Sequence, residues 1–193
     1  MAECAGLLLA AGAGRRFGGP KALVEVDGEP LVRRALRSLS DCSPVYVVTG
    51  AAADEVAGLL PSSVSVVYAS DWASGMGASL RAGLSALSSV STVDAVLVHL
   101  VDLPGVSGEV VRRLAALAAP DVVARAAYDG VPGHPVLLGR DYWAEIAGAV
   151  SGDAGARHWL AARDDLRLVE CGDLGSGRDV DRPGDLPRPG RSL

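Results

Sequence analysis

A chain of 193 residues, nearly half of them apolar, is long enough to bury a substantial core in one domain. Its formal net charge of −5, with no basic stripe, excludes a general nucleic-acid binder and points to a small anionic ligand at a local positive site. Cys4, Cys42 and Cys171 are odd in number and far apart, which fits reduced structural thiols rather than a disulfide framework or a zinc knuckle.

No run approaches the roughly 18 apolar residues of a membrane span. The N-terminus carries Glu3 where a secretory signal would carry basic residues, so a cytoplasmic location is expected. Without internal repeats or an interior linker, residues 1–193 read as a single domain whose proline- and arginine-rich tail, from about residue 187, is expected to fray.

In chain order, the first element is a short apolar strand, Gly6 to Leu9. It empties into a loop holding Gly12, Gly14, Gly18 and Gly19 with Arg15, Arg16 and Lys21. Glycines allow positive φ and expose backbone N–H groups to an anion, while arginine and lysine add charge. A dinucleotide fingerprint would need Gly or Ala where Phe17 stands, and a P-loop would need Gly before Lys21 and Ser or Thr after it. Neither pattern is met. The bland alternative is a glycine-rich connection whose cations face water.

A helix follows from Glu29-Pro30, with Leu31, Val32, Ala35, Leu36 and Leu39 on one stripe. Pro44 to Thr49 is a strand, Ala51 to Leu60 a helix, Val64 to Tyr68 a strand and Gly77 to Ser88 a helix. The most continuous apolar strand, Ala95 to Val101, reads as central, with His99 a satisfied core histidine. Ser107 caps the next helix. Val122 to Ala126 and Pro135 to Leu138 are strands, Asp141 and Asp153 cap two further helices through Val150 and Ala162, and Leu166 to Glu170 closes the sheet. This alternation predicts an α/β fold with a mainly parallel sheet and helices on both faces.

Asp102, directly after the central strand, stands at the sheet edge that also receives the glycine loop. It suits Mg²⁺, a hard cation shared between carboxylates and substrate phosphates, or it simply caps the turn before Pro104. Asp179 and Asp181 alternate onto one side of an extended segment and could share such an ion, or form a solvated acidic turn. Gly75 and Gly77 precede a helix carrying Ser79, where a nucleotide could approach closely. There is no nucleophile–base constellation, in keeping with direct phosphoryl-type transfer.

The stretch LAAG-x-G-x-R-F-G-x-x-K, residues 9–21, resembles the signature of nucleotidyltransferases related to the molybdenum-cofactor enzymes MobA and MocA. The resemblance implies a three-layer Rossmann-like fold of the nucleotide-diphospho-sugar transferase type. It implies that the backbone of Leu9, Ala10, Ala11 and Gly12 reads the base, that Gly14 helps seat the nucleotide, and that Arg16 and Lys21 hold the triphosphate. Ala11 is similar to the cytidylyltransferase branch, which favours CTP.

By the same resemblance, Asp102 in the D-[LQ]-P motif and Asp181, ahead of Asp179, hold Mg²⁺, and Gly75 and Ser79 line the nucleotide. Arg182 and Gly184 depart from the family's Thr and Glu in the second acidic segment. GVPGHP and GDAGAR, residues 130–135 and 152–157, look like segments facing the second substrate, so His134, Asp153 and Arg157 are the expected acceptor-binding residues; His134 could equally be a structural loop histidine and Asp153 only a cap. The expected reaction moves NMP from an NTP to a phosphorylated acceptor such as molybdopterin cofactor, with a molybdoenzyme as possible client. Two alternatives stand beside it: a nicotinamide-dependent oxidoreductase like the family's nicotine blue oxidoreductase, and a non-catalytic cofactor-binding chaperone.

Overall fold

The computed structural model describes residues 3–186, so the expected tail from about 187 lies outside the described residues. Its framework is a seven-stranded sheet: β1 (Glu3–Leu9), β4 (Val45–Thr49), β5 (Ser65–Tyr68), β6 (Val93–Leu100), β7 (Val123–Tyr128), β8 (Val131–Gly139) and β9 (Arg167–Glu170), in the order β5-β4-β1-β6-β8-β7-β9. A separate hairpin pairs β2 (Glu25–Val26) with β3 (Glu29–Pro30). Within the large sheet β8 alone runs against its neighbours, pairing antiparallel with both β6 and β7.

The central strands read as they pack. In β1 residues Ala5 to Leu9 are buried, as continuous apolar runs covered on both faces must be. One face carries α1 (Leu31–Ser38) and α4 (Gly108–Ala115), with α2 (Ala53–Gly58) at its margin; Leu31, Val32, Val56, Val110, Val111 and Leu114 close on Leu8 and Leu97. The other face carries α3 (Met76–Ser88), α5 (Trp143–Ala149) and α6 (Arg157–Ala161), whose Leu80, Leu84, Ile146 and Leu160 meet Leu7, Val96 and Val136. Among the described residues no helix is long and apolar enough to cross a membrane.

Several local expectations are corrected. Glu29 and Pro30 belong to the small hairpin, and Pro30 stands just before α1 with ψ 139°. Ser107 does cap α4, its hydroxyl accepting from the Val110 N–H at 3.3 Å, but Asp141 and Asp153 cap nothing and lie inside single 3₁₀ turns. Residues 130–134, expected as a loop before a strand from Pro135, belong to a β-hairpin whose second strand already starts at Val131. Asp129 and Gly130 both take positive φ, 52° and 77°, the pair a tight two-residue turn demands, and β8 returns from it at Val131.

His99 is fully buried as expected, yet both ring nitrogens lack a partner, so it is not a satisfied histidine. Burial, and then the neighbouring His134, hold its pKa at about 3. The three cysteines are free.

Candidate functional site

The site is built where β1 and β6 end side by side, with Leu9 level with Leu100. The side chains of Leu9, Ala10 and Ala11 are buried. Part of their backbone is spent on holding the sheet edge together: Ala10 donates to Val48 O, and Leu9 O and Ala11 O accept from Val101 and Ala51.

Beyond them the loop folds back on one carbonyl. Gly14 O accepts the N–H groups of Phe17, Gly18 and Gly19 at 2.9, 2.9 and 3.2 Å. Gly14 has φ +59°, and a Cβ there would lie 1.8 Å from Gly19 O, so this closure admits glycine alone. The amides of 17–19 therefore face inward. Those of Gly12 to Arg16 donate to no protein group among the described residues, and they are the part of the loop that can meet an anion.

Lys21 starts a 3₁₀ turn, anchored by buried Ala22, that aims its side chain back across the loop. Its ammonium lies 2.9 Å from Asp102 Oδ2 and 2.7 Å from Asp181 Oδ1, and Arg16 reaches Asp181 Oδ2 at 3.0 Å. Burial alone would lower the Lys21 pKa; the hydrogen bonds to Asp181 and Asp102 outweigh it and raise it. The Lys21 hydrogen bond holds Asp181 below the usual carboxylate range.

Asp181 arrives from 79 residues downstream of Asp102 because residues 174–181 strap the sheet edge. Ser107 donates to Leu174 O at 3.0 Å, Ser176 to Gly105 O at 3.0 Å and Val180 to Asp102 O at 2.9 Å. Val180 is buried, which turns its neighbours Asp179 and Asp181 outward; Asp179 is exposed, and Asp181 is the one engaged by the lysine.

The two carboxylates thus converge within reach of one cation, and the set is oxygen-only, which fits Mg²⁺ held jointly with substrate phosphates. Among the described residues no group of three or more His, Cys, Asp or Glu side chains forms an all-protein metal cage.

The helix expected to line the nucleotide is less open than its glycines suggest. A Cβ on Gly75 would meet Gly152 at 2.4 Å, and one on Gly77 would meet Ser151 N at 2.8 Å. Both glycines serve the close crossing of residues 151–153 over the start of α3. Ser79 is 4% exposed within α3, away from direct solvent contact.

His134 is half-buried in β8, and its carbonyl accepts from the Tyr128 hydroxyl at 2.8 Å. Burial, with the charges of Arg125 and Arg157, depresses its pKa to about 4. Arg157 and Asp153 are exposed. Arg125 was not singled out by sequence; the available signal was a lone charge inside the apolar run Val122 to Tyr128.

An amide-lined loop and two acids at the carboxyl edge of a parallel sheet place this chain among the nucleotide-handling α/β proteins. Comparison with known proteins narrows the class: residues 6–167 match the model of the MobA-like NTP transferase domain. The chain belongs to that family and is a nucleotidyltransferase by fold and motif.

It is 40% identical over 190 residues, 91% of each chain, to a protein of Paenarthrobacter nicotinovorans named nicotine blue oxidoreductase. It is 31% identical over 141 residues to the molybdenum cofactor guanylyltransferase of Rhodobacter capsulatus, spanning 72% of this chain and 65% of the relative. In structure it is similar to Rv0371c of Mycobacterium tuberculosis H37Rv, with a TM-score of 0.81, 23% identity and 95% of each chain covered. Rv0371c has also been solved as a manganese complex.

Proposed function

We propose that the chain works as a single Mg²⁺-dependent nucleotidyltransferase domain that moves NMP from an NTP, CTP by preference, to a phosphorylated acceptor of the molybdopterin type. The observation that carries this reading is Lys21 held between Asp102 and Asp181 directly beside the free amides of residues 12–16. An acceptor phosphate oxygen attacks the α-phosphorus in line; the new P–O bond forms as the α–β bridging P–O bond breaks, and pyrophosphate leaves.

No covalent enzyme intermediate is needed. Positioning and charge stabilisation carry such a reaction. The amides of Gly12 to Arg16 cradle the phosphates, and Arg16 and Lys21 neutralise charge that grows on them. Asp102 and Asp181 would hold Mg²⁺, which supplies charge neutralisation between the phosphates. Lys21, already bonded to both acids, keeps their mutual repulsion in check until substrate arrives.

Pyrophosphate release from each of the four NTPs, with molybdopterin as acceptor and with Mg²⁺ or EDTA, tests the reading. Release from CTP that EDTA abolishes is expected; no release from any NTP overturns it.

The relative named nicotine blue oxidoreductase favours a second reading, in which the loop cradles the pyrophosphate of a nicotinamide dinucleotide. Fluorescence titration with NADH and with CTP, each with and without Mg²⁺, separates the two. Saturable NADH binding that is indifferent to Mg²⁺, with none for CTP, selects the oxidoreductase.

A further inference from the structure

The β7–β8 ladder is interrupted just behind its turn. Arg125 lies opposite Val136 and Ala127 opposite Pro132, so Ala126 alone faces residues 133–135, and β8 bulges there. Two side chains of β7 take up carbonyls of this bulge. Arg125 Nε donates to Gly133 O at 3.0 Å, and the Tyr128 hydroxyl donates to His134 O at 2.8 Å. Burial pushes the Tyr128 phenol above its ordinary pKa, so the hydroxyl keeps its proton and remains a donor.

The ring of Tyr128 has a second neighbour. Alternation along β7 puts it on the sheet face of Ala124 and Ala126, the face on which Leu174 of the strap packs. A Cβ on Gly177 would lie 2.4 Å from Tyr128 Cδ2 and Cε2, and one on Gly133 would lie 3.0 Å from the same two atoms. One edge of the ring thus meets the backbone of both strap and bulge. It is not free to swing aside, because its hydroxyl is tied to His134.

That contact falls where the strap lacks other support. Ser176 donates to Gly105 O and Val180 to Asp102 O, but among the described residues 177–179 make no hydrogen bond outside the strap. The span that sets Val180, and with it Asp181 at 2.7 Å from the Lys21 ammonium, leans on a single aromatic ring.

We propose that Tyr128 is a positioning residue that joins the two ends of the site: its ring holds the strap at Gly177 and so keeps Asp181 against Lys21, while its hydroxyl ties that ring to the bulge at His134. Calling Asp181 a metal ligand rests on the transferase reading; the latch itself does not. Residues that hold a ligating side chain in place without touching the ion are typically worth about 10–100-fold in metal affinity.

The test reads amide hydrogen exchange of the ¹⁵N-labelled full chain and the Mg²⁺ dependence of pyrophosphate release. Gly177→Ala, a change in the strap outside the sheet, should lower protection of the Val180 amide about tenfold or more. It should also raise the half-saturating Mg²⁺ concentration about tenfold, with kcat at saturating Mg²⁺ within about twofold of the wild-type value. Tyr128→Phe keeps the ring and should leave both readings unchanged. In a Tyr128→Ala background the added methyl meets no ring, so Gly177→Ala should have no further effect. Equal losses from Gly177→Ala in both backgrounds, or unchanged protection at Val180, overturn the latch. The exchange measurement needs no substrate, so a wild-type chain that releases no pyrophosphate would count against the transferase reading alone.

Discussion

Val180 donates its backbone N–H to the carbonyl of Asp102 at 2.9 Å, and this bond brings the second acid of the site to the first. Both acids then share Lys21. The lysine is the keystone of the arrangement, so replacing it both removes a charge-stabilising donor and leaves two carboxylates facing each other.

Lys21→Ala is therefore expected to lower kcat by about 10²–10³ in a pyrophosphate-release assay with CTP and molybdopterin. A variant turning over at the wild-type rate would show that the ammonium takes no part.

Gly14→Ala tests the loop independently of charge. The added methyl would collide with Gly19 O and would impose a side chain at φ +59°. The three inward hydrogen bonds to Gly14 O cannot then form as they are, and the loop that carries the free amides of 12–16 must rearrange. Isothermal titration should show CTP affinity falling at least about tenfold, with circular dichroism unchanged because the loop lies outside the sheet.

The lysine clasp has a defined pH window. Asp181 has a depressed folded pKa, so its contribution is complete above the unfolded value of about 3.9 and fades as pH falls through the folded one. Lys21 has a raised folded pKa, so its contribution is complete below about 10.4 and fades as pH rises through the folded value. Carboxyl ¹³C NMR should place the Asp181 midpoint below 3.9, and Lys21→Met should move it upward. Asp181 is about a third exposed, so salt should weaken the shift.

His99 offers a second stability test, in which lowering the pH again weakens the fold. Its unfolded pKa is near 6.5 and its folded value about 3, so the unfolded chain binds the extra proton between these limits and stability falls as pH drops through them. The slope from this one group is up to about 1.4 kcal/mol per pH unit. His99→Leu removes that slope and the two unpaired nitrogens, and should stabilise at pH 7 by about 1–3 kcal/mol in urea unfolding.

The sequence announced the glycine loop, the central strand and Asp102, because local composition carries them: apolar run, glycine, cation, acid. The family resemblance put Asp181 ahead of Asp179; in the structure Asp181 bonds Lys21 while Asp179, on the far side of buried Val180, is exposed. What the sequence hid depends on contacts between distant segments. The role of Gly75 and Gly77 lies in residues 151–153. The hairpin was missed for another reason. Asp129-Gly130 is a strong turn signal, but the glycine-rich residues that follow it resemble a loop until β7 supplies a partner.

That reversed strand divides the labour of the molecule. In the proposed reading the groups that grip the triphosphate hang from β1, β6 and the strap, whereas Arg125 and His134 ride on a tongue whose turn, at Asp129-Gly130, is held by its backbone N–H groups to Glu170. Tyr128, at the foot of that turn, packs against Gly177 of the strap, so the tongue can be recharged beyond it while that one contact is kept. A lineage built on this plan is free to change what it modifies without relearning how to hold phosphate.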